Sequence, residues 1–255
     1  MPEGTPRIIV FGSGNVATSL GRAWEASGVV IAGFCNRNGA VPPGFQSTEA
    51  PCFSRAQDID VAADYALIAV RDEAIFPILE TLPEHLTPIH FSGALPNPER
   101  GGVIWCAQSV QPHRPEHVHS IPMVITAKDD RVREELTALA GRISKHLYPS
   151  TEAKRQKGHL TAVFAVNFTN HALAVAHELA QQAELPWEWF VPMIEAMCQG
   201  AIEGKAFDRQ TGPGFRGEQA IIRSQLQALE SHPAWQAFYE AATASIQHLH
   251  DSPSK

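Results

Sequence analysis

RIIVFGSGNVATSLGRAW, residues 7–24, decides the fold. Ile8, Ile9, Val10 and Phe11 form a short apolar run of strand length, Gly12 and Gly14 break it, and an amphipathic helical pattern follows from Asn15. Gly12, Gly14 and Ala17 occupy the three small-residue positions of a dinucleotide-binding turn. The first permits the sharp strand-to-helix turn, the second lets backbone approach a pyrophosphate, and the third allows close helix–strand packing. Ser13, Asn15 and Val16 complete the turn, where free N–H groups and the positive end of the helix dipole face an anion. The competing reading of these residues is a purely structural glycine turn.

A site for NAD places an acid at the end of the second strand, about 20 residues on, to hold the ribose 2′-hydroxyl. Here GFCNRNG, residues 33–39, offers Asn36, Arg37 and Asn38 and no acid. A guanidinium suits phosphate oxygens, so the missing acid points to NADP. A solvated loop that happens to contain Arg37 is the alternative.

Working outward, VVIAGF (29–34), YALIAV (65–70), PIHF (88–91), GVIWC (102–106) and IPMVIT (121–126) read as further strands. Helical patterns at 15–27, 73–82 and 130–143 lie between them. Alternating strands and helices predict a doubly wound, Rossmann-type α/β domain over residues 1–149. After HLYPS the texture becomes wholly helical: 152–182, then 186–203 with Pro186 in its first turn, then 218–230 and 233–249. The glycine-rich break TGPGFRG, 211–217, reads as loop across Gly212–Gly214. Residues 150–255 are expected to form an all-helical domain for substrate binding and dimerisation, with only the DSPSK tail fraying.

The chain has 255 residues, 44% of them hydrophobic, and a net charge of −7 with no basic run. That disfavours a nucleic-acid partner and fits a small-molecule substrate. No apolar stretch approaches the ~18 residues of a membrane helix, and no signal sequence opens the chain, so a cytoplasmic location is expected. The four cysteines are scattered without metal-ligand spacing, and the histidines near QHLHD lack an accompanying cluster, so no metal site is expected.

The segments GSGNVATSL, LIAVRDEAI, IHFSGAL, AQSVQP, HLTAVFAVNFTNH and QTGPGFRG, from end to end of the chain, resemble one family. These are Rossmann-like proteins with a helical C-terminal domain of unknown function, usually described as NADP oxidoreductases. They are relatives of pyrroline-carboxylate reductases, deazaflavin-dependent NADP reductases and β-hydroxyacid dehydrogenases. The resemblance implies NADP in the first domain and a helical domain that closes over the nicotinamide and often dimerises. It leaves the substrate open. Two stretches depart from the family pattern: Arg71 stands where it has proline, and CAQSV keeps Gln108 and the Ser109 hydroxyl but loses an aromatic.

Hydride transfer needs a nicotinamide held against substrate and a group to move a proton. Ligands of open α/β sheets lie outside the carboxyl ends of the strands. That selects Val70, Arg71 and Asp72 after one strand and Ser92 and Gly93 after the next, with ordinary loop chemistry as the alternative. The stretch from Leu160 to Ala176 is apolar nearly all round, which predicts burial and makes Asn167, Asn170 and His171 notable. Substrate contact and helix–helix hydrogen bonding both remain open for them. In the hydroxyacid dehydrogenases a catalytic lysine sits four residues before such an asparagine; here that position is Val163. His159, two turns before Asn167 and expected near its face, is the best acid in reach, or else a hinge histidine. Thr211 and Arg216 in the glycine-rich loop could form an anion nest with its backbone, or belong to a plain connector. The resulting expectation is an NADP(H)-dependent oxidoreductase, with His159, Asn167 and Thr211 at the reaction and Ser109, Asn170 and Arg216 on the substrate. The alternative is an NADP-binding sensor or scaffold without chemistry.

Overall fold

The computed structural model describes residues 4–110 and 115–251. Chain contacts divide it into two compact units, Met1–Asn167 and Phe168–Lys255.

The first unit is built on an eight-stranded sheet. Its strands are β1 (Arg7–Phe11), β2 (Val30–Cys35), β3 (Cys52–Phe53), β4 (Tyr65–Ile68), β5 (Thr87–His90), β6 (Gly102–Cys106), β7 (Met123–Ala127) and β8 (Leu147–Pro149). They lie in the order β3-β2-β1-β4-β5-β6-β7-β8, every neighbouring pair parallel except β6 with β7. This is the Rossmann-type α/β architecture expected from the alternating pattern. The first six strands run the same way, so β1, β2, β4, β5 and β6 end along one edge of the sheet.

Helices α1 (Asn15–Ala26), α2 (Asp72–Thr81) and α3 (Asp130–Ala140) cover the two faces. Leu20 and Trp24 of α1 and Leu136 and Leu139 of α3 pack with Ile8, Val10, Leu67 and Ile104 on one side. Ile75 of α2 packs with Ile9, Phe11, Ala66 and Ile68 on the other. The alternate residues of β1 therefore feed opposite cores, which is why that strand is apolar throughout. The buried Trp24 indole donates to the Leu139 carbonyl at 2.9 Å, tying α1 to the end of α3.

The unit continues past the change of texture at Pro149, through α4 (Glu152–Ala162) and most of a π-helical turn, Val163–Phe168. Pro149 marks where the strand pattern stops, whereas the packing runs further because α4 is fastened to the sheet by Arg155, described below. β3 and β8 are two or three residues long and pair at the two sheet edges, too short to show a sequence period.

The second unit is wholly helical: α5 (Thr169–Gln182), α6 (Val191–Ile202), α7 (Pro213–Arg216), α8 (Gln219–Ala228) and α9 (Pro233–Asp251). Two expectations are corrected here. The helix expected from Pro186 starts as a 3₁₀ turn at Trp187–Trp189, and the α-helix proper begins at Val191 with Pro192 in its first turn. TGPGFRG is not loop throughout: Pro213–Arg216 makes one helical turn between Gly212 at φ 100° and Gly217 at φ 67°. Proline suits the first helical position and glycine the left-handed terminus, so this connector follows from backbone chemistry alone. Residues 252–255 of the expected fraying tail lie outside the described residues. Among the described residues no helix is long and apolar enough to cross a membrane.

Candidate active site at the carboxyl edge of the sheet

The glycine turn after β1 sits where the chain must come closest to β4. Gly12 has φ 96°, and a Cβ there would stand 2.4 Å from the Ala69 carbonyl oxygen and 3.3 Å from Val70 Cγ1. Only glycine fits on both counts. Its N–H donates to the Cys35 carbonyl at 2.9 Å, locking the ends of β1 and β2 together. Gly14 is the opposite case: it caps α1 with an ordinary φ of −78°, and nothing lies within 4 Å of an added Cβ. The first turn of α1 has no side-chain cap and no acid. Its orphan N–H groups thus face open space, with Ser13, Gly14 and Asn15 exposed and Val16 half-buried. Such a terminus fits the pyrophosphate of a dinucleotide.

At the end of β2 the three expected residues divide. Asn36 is buried and spends its amide locally, donating to the Ala40 carbonyl at 2.9 Å and accepting from the Asn38 N–H at 3.0 Å. It shapes the turn that presents Arg37 and Asn38, both exposed. Among the described residues the Arg37 guanidinium has no ion pair or hydrogen bond, so it is available to a phosphate.

The richest arrangement follows β5. Ser92 is buried; its hydroxyl donates to Asp72 at 2.8 Å and accepts from the N–H groups of Leu95 at 3.1 Å and Ala94 at 3.3 Å. With its proton given to a carboxylate and its lone pairs to backbone, Ser92 holds a turn. His90 lies beneath, fully buried, accepting at Nδ1 from the Ser92 N–H at 3.3 Å and facing the Pro96 carbonyl with Nε2 at 3.1 Å. These partners assign the proton to Nε2. Burial drives the His90 pKa down to about 4; the Pro96 hydrogen bond, Asp72 and Glu152 oppose that, and the Arg155 charge adds to it. His90 is therefore neutral near pH 7 and is no acid catalyst.

Arg155 of α4 was not singled out by sequence, where it falls within the helical pattern of 152–182. In the structure it is 1% exposed. Nη1 donates to the carbonyls of Ser92 and Gly93, both at 2.8 Å; Nη2 donates to the Leu95 carbonyl at 2.6 Å and lies 3.4 Å from Asn97 Oδ1; Nε donates to Thr126 Oγ1 at 3.0 Å. Burial lowers its pKa from the ordinary value, and nearby Glu152 partly offsets this.

One turn along α4 from Arg155 stands His159. A Cβ on Gly93 would lie 2.4 Å from His159 Cδ2 and 2.8 Å from Trp105 Nε1, so the glycine admits both rings. The Trp105 and His159 rings meet edge to face with centroids 5.8 Å apart. The structure thus brings together Gly93 and His159, both expected, with Trp105, which was not. Val70 and Arg71 occupy the end of β4, Arg71 exposed and directly before α2. Ser109 is exposed in the segment after β6, and Gln111 and Pro112 of the same stretch fall outside the described residues. Burial pushes the Cys106 thiol up to about 12 and Cys35 to about 11, the latter helped by Asp58, so neither supplies a thiolate at neutral pH.

The long helix corrects the sequence expectation of burial. Leu160, Phe164, Val166 and Phe168 are 46–63% exposed, and Asn167, Asn170 and His171 are exposed too, because an apolar run along a helix does not by itself bring a neighbour to bury it. Asn167 lies in the π-helical turn, so the α-helical phase that set it near the face of His159 does not carry across Val163. Single π turns of this kind recur at functional sites. In the second unit Thr211 is exposed, and Arg216 is engaged bidentately by Glu218 at 2.9 and 3.0 Å. Among the described residues no His, Cys, Asp and Glu cluster could hold a metal ion.

A parallel sheet with a glycine turn at its first strand, an uncapped helix start and a polar cluster at the neighbouring strand end defines the dinucleotide-binding α/β class. Residues 121–246 match the family model described as Domain of unknown function (DUF2520). Over its length the chain is similar to a protein from Bacteroides fragilis provisionally assigned as an NADP oxidoreductase. The two share 27% identity and a TM-score of 0.77, with 96% of this chain and 98% of that one covered. A Thermotoga maritima protein shares the fold at 16% identity and TM-score 0.69, covering 96% and 100%. An imine reductase from Myxococcus stipitatus in complex with NADP+ shares it at 13% identity and TM-score 0.69, covering 95% and 93%. These likenesses bear out the resemblance read from the sequence segments. No curated protein matches the chain.

Proposed function

We propose that the protein is an NADP(H)-dependent oxidoreductase that transfers a hydride to or from a small C=N or C=O metabolite. The observation that carries this is the pairing of an open, uncapped α1 terminus at Gly14 with an unpaired Arg37 at the acid-free end of β2. The described NADP relatives support the same cofactor. The donor set fits: α1 N–H groups for the pyrophosphate, and Arg37 with Asn38 for the 2′-phosphate. Val70, Arg71, Ser92 and Gly93 border the nicotinamide end. When bound, the reduced nicotinamide supplies the hydride. His159 holds the proton that the reduced substrate needs, and Trp105 and Gly93 fix the imidazole in place. Asn167, Thr211, Ser109, Asn170 and Arg216 are assigned to the substrate side, Arg216 only on release from Glu218.

Calorimetric titration with NADPH and NADH, repeated on Arg37→Ala, tests this reading. Submicromolar to micromolar NADPH binding, weaker NADH binding and loss of that preference in the variant are expected. Failure of the unaltered protein to bind either nucleotide would overturn it.

The helical unit is further proposed to pair with a second copy of the chain. Trp189, Met193 and Ile202 are 64%, 69% and 80% exposed. Such large apolar side chains, exposed on the helical unit, are surface that a second copy would cover.

A further inference from the structure

We infer that Arg155 is the positioning residue of this site: by gathering the carbonyls of Ser92, Gly93 and Leu95 around one buried guanidinium, it fixes the turn after β5 against α4 and so sets His159 over Gly93 and beside Trp105. The inference rests on the reading of His159 as the proton-holding group, but its geometry stands apart from any cofactor. Arginine is costly to bury without a carboxylate in contact, and every acceptor on this one is neutral. What the guanidinium offers in return is a planar fork with five donors in fixed directions, which lysine cannot reproduce. Three of its acceptors are main-chain carbonyls within four consecutive residues, so the fork dictates the path of that turn. The remaining contacts extend the same scaffold: Thr126 Oγ1 donates to Asn97 Oδ1 at 2.6 Å, and Glu152 accepts from the Asn97 N–H at 2.5 Å.

Geometry links the clamp to the site. Arg155 and His159 are four residues apart in a regular α-helix and so share a face. The carbonyl of Gly93 is held by Arg155, while the missing Cβ of the same glycine is what admits the His159 ring. Moving that turn therefore moves the floor of the imidazole. A guanidinium that merely filled core volume would have no such connection.

The test is NMR of the histidine rings in the full chain, without nucleotide, with the His159 signal assigned from His159→Gln. Trp105 should displace that signal from the free-histidine position through its ring current. In Arg155→Lys the signal is expected to move toward the free-histidine position. In Thr126→Val, which removes the Nε acceptor and the donor to Asn97 Oδ1 but leaves the three carbonyl contacts, it should move the same way by less. Gly93→Ala should displace the ring with Arg155 intact. An unmoved His159 signal in a folded Thr126→Val or Arg155→Lys protein overturns the inference, even if the melting temperature falls. NADPH titration of the same samples tests the oxidoreductase reading separately: loss of nucleotide binding by the unaltered protein refutes that reading and leaves the histidine result interpretable.

Discussion

His90 should make the stability of the first unit fall on mild acidification. Folded, its pKa is about 4 because burial disfavours the imidazolium; unfolded, it returns to about 6.5. Below 6.5 the unfolded chain gains a proton that the folded chain refuses, so stability present above that pH is lost progressively down to about 4. Between those limits each pH unit costs ~1.4 kcal/mol, and the whole window amounts to about 3 kcal/mol. The perturbation is His90→Gln, whose amide can still donate toward the Pro96 carbonyl that His90 faces at 3.1 Å. Urea unfolding at several pH values, followed by near-ultraviolet circular dichroism, gives the two stability curves. The variant pays a constant offset for lost packing, but its curve should be flatter than the unaltered one by about 3 kcal/mol across the window. Other titrating groups cancel in that difference. Parallel curves would refute the reasoning, because His90 would then be protonating in the folded state, and Nδ1 could not be accepting from the Ser92 N–H.

Two glycines of the same turn should separate folding from binding. Gly12→Ala places a methyl 2.4 Å from the Ala69 oxygen at a positive φ and should cost about 2 kcal/mol in urea unfolding together with nucleotide binding. Gly14→Ala meets nothing and should unfold like the unaltered protein, yet its methyl intrudes where the phosphates lie; unchanged NADPH affinity would argue against that placement. Trp24→Phe keeps most of the apolar burial and removes one donor to the Leu139 carbonyl, which still accepts from the Arg142 N–H at 3.3 Å, so it should cost about 0.5–1.5 kcal/mol by the same unfolding assay. Met193→Glu combined with Ile202→Glu should convert a dimer to monomers in sedimentation; a monomeric unaltered protein would remove the second-copy proposal.

The fold was legible wherever a single segment carried its own period. β1, the glycine turn and α1 are read directly from residues 7–26, and the wholly helical texture after 152 follows from an absence of alternating runs. β3 and β8 were not legible because two or three residues hold no period; they are strands only by pairing with β2 and β7. Asn36 shows a finer limit. Its position at the end of β2 was legible, but which atoms it spends on Ala40 and Asn38 depends on how the turn closes. Leu160 and Val166, 58% and 55% exposed, misled for a related reason: apolar composition reports that a side chain favours burial, not where a neighbour lies. Arg155 was invisible because nothing local separates it from Lys154 and Lys157. Its partners lie 29 to 63 residues away, and only the closed sheet brings them within reach.

That distribution bears on where the chemistry can be. Several groups at the carboxyl edge carry reactive or charged side chains but are committed by the fold. Ser92 gives its proton to Asp72, His90 is held neutral by burial, and the Cys106 thiol is held protonated. Arg155 is enclosed by carbonyls. The bonds of Ser92, His90 and Arg155 stiffen the turn between Phe91 and Asn97, and each commitment removes a competitor for proton transfer. His159 is the imidazole at this edge that the fold positions without enclosing: half-buried, seated between Gly93 and Trp105, on the helix that the buried guanidinium anchors. A proton donor needs that combination, since a group locked into a full hydrogen-bond set cannot release its proton, and one left loose cannot meet a substrate atom at a fixed distance.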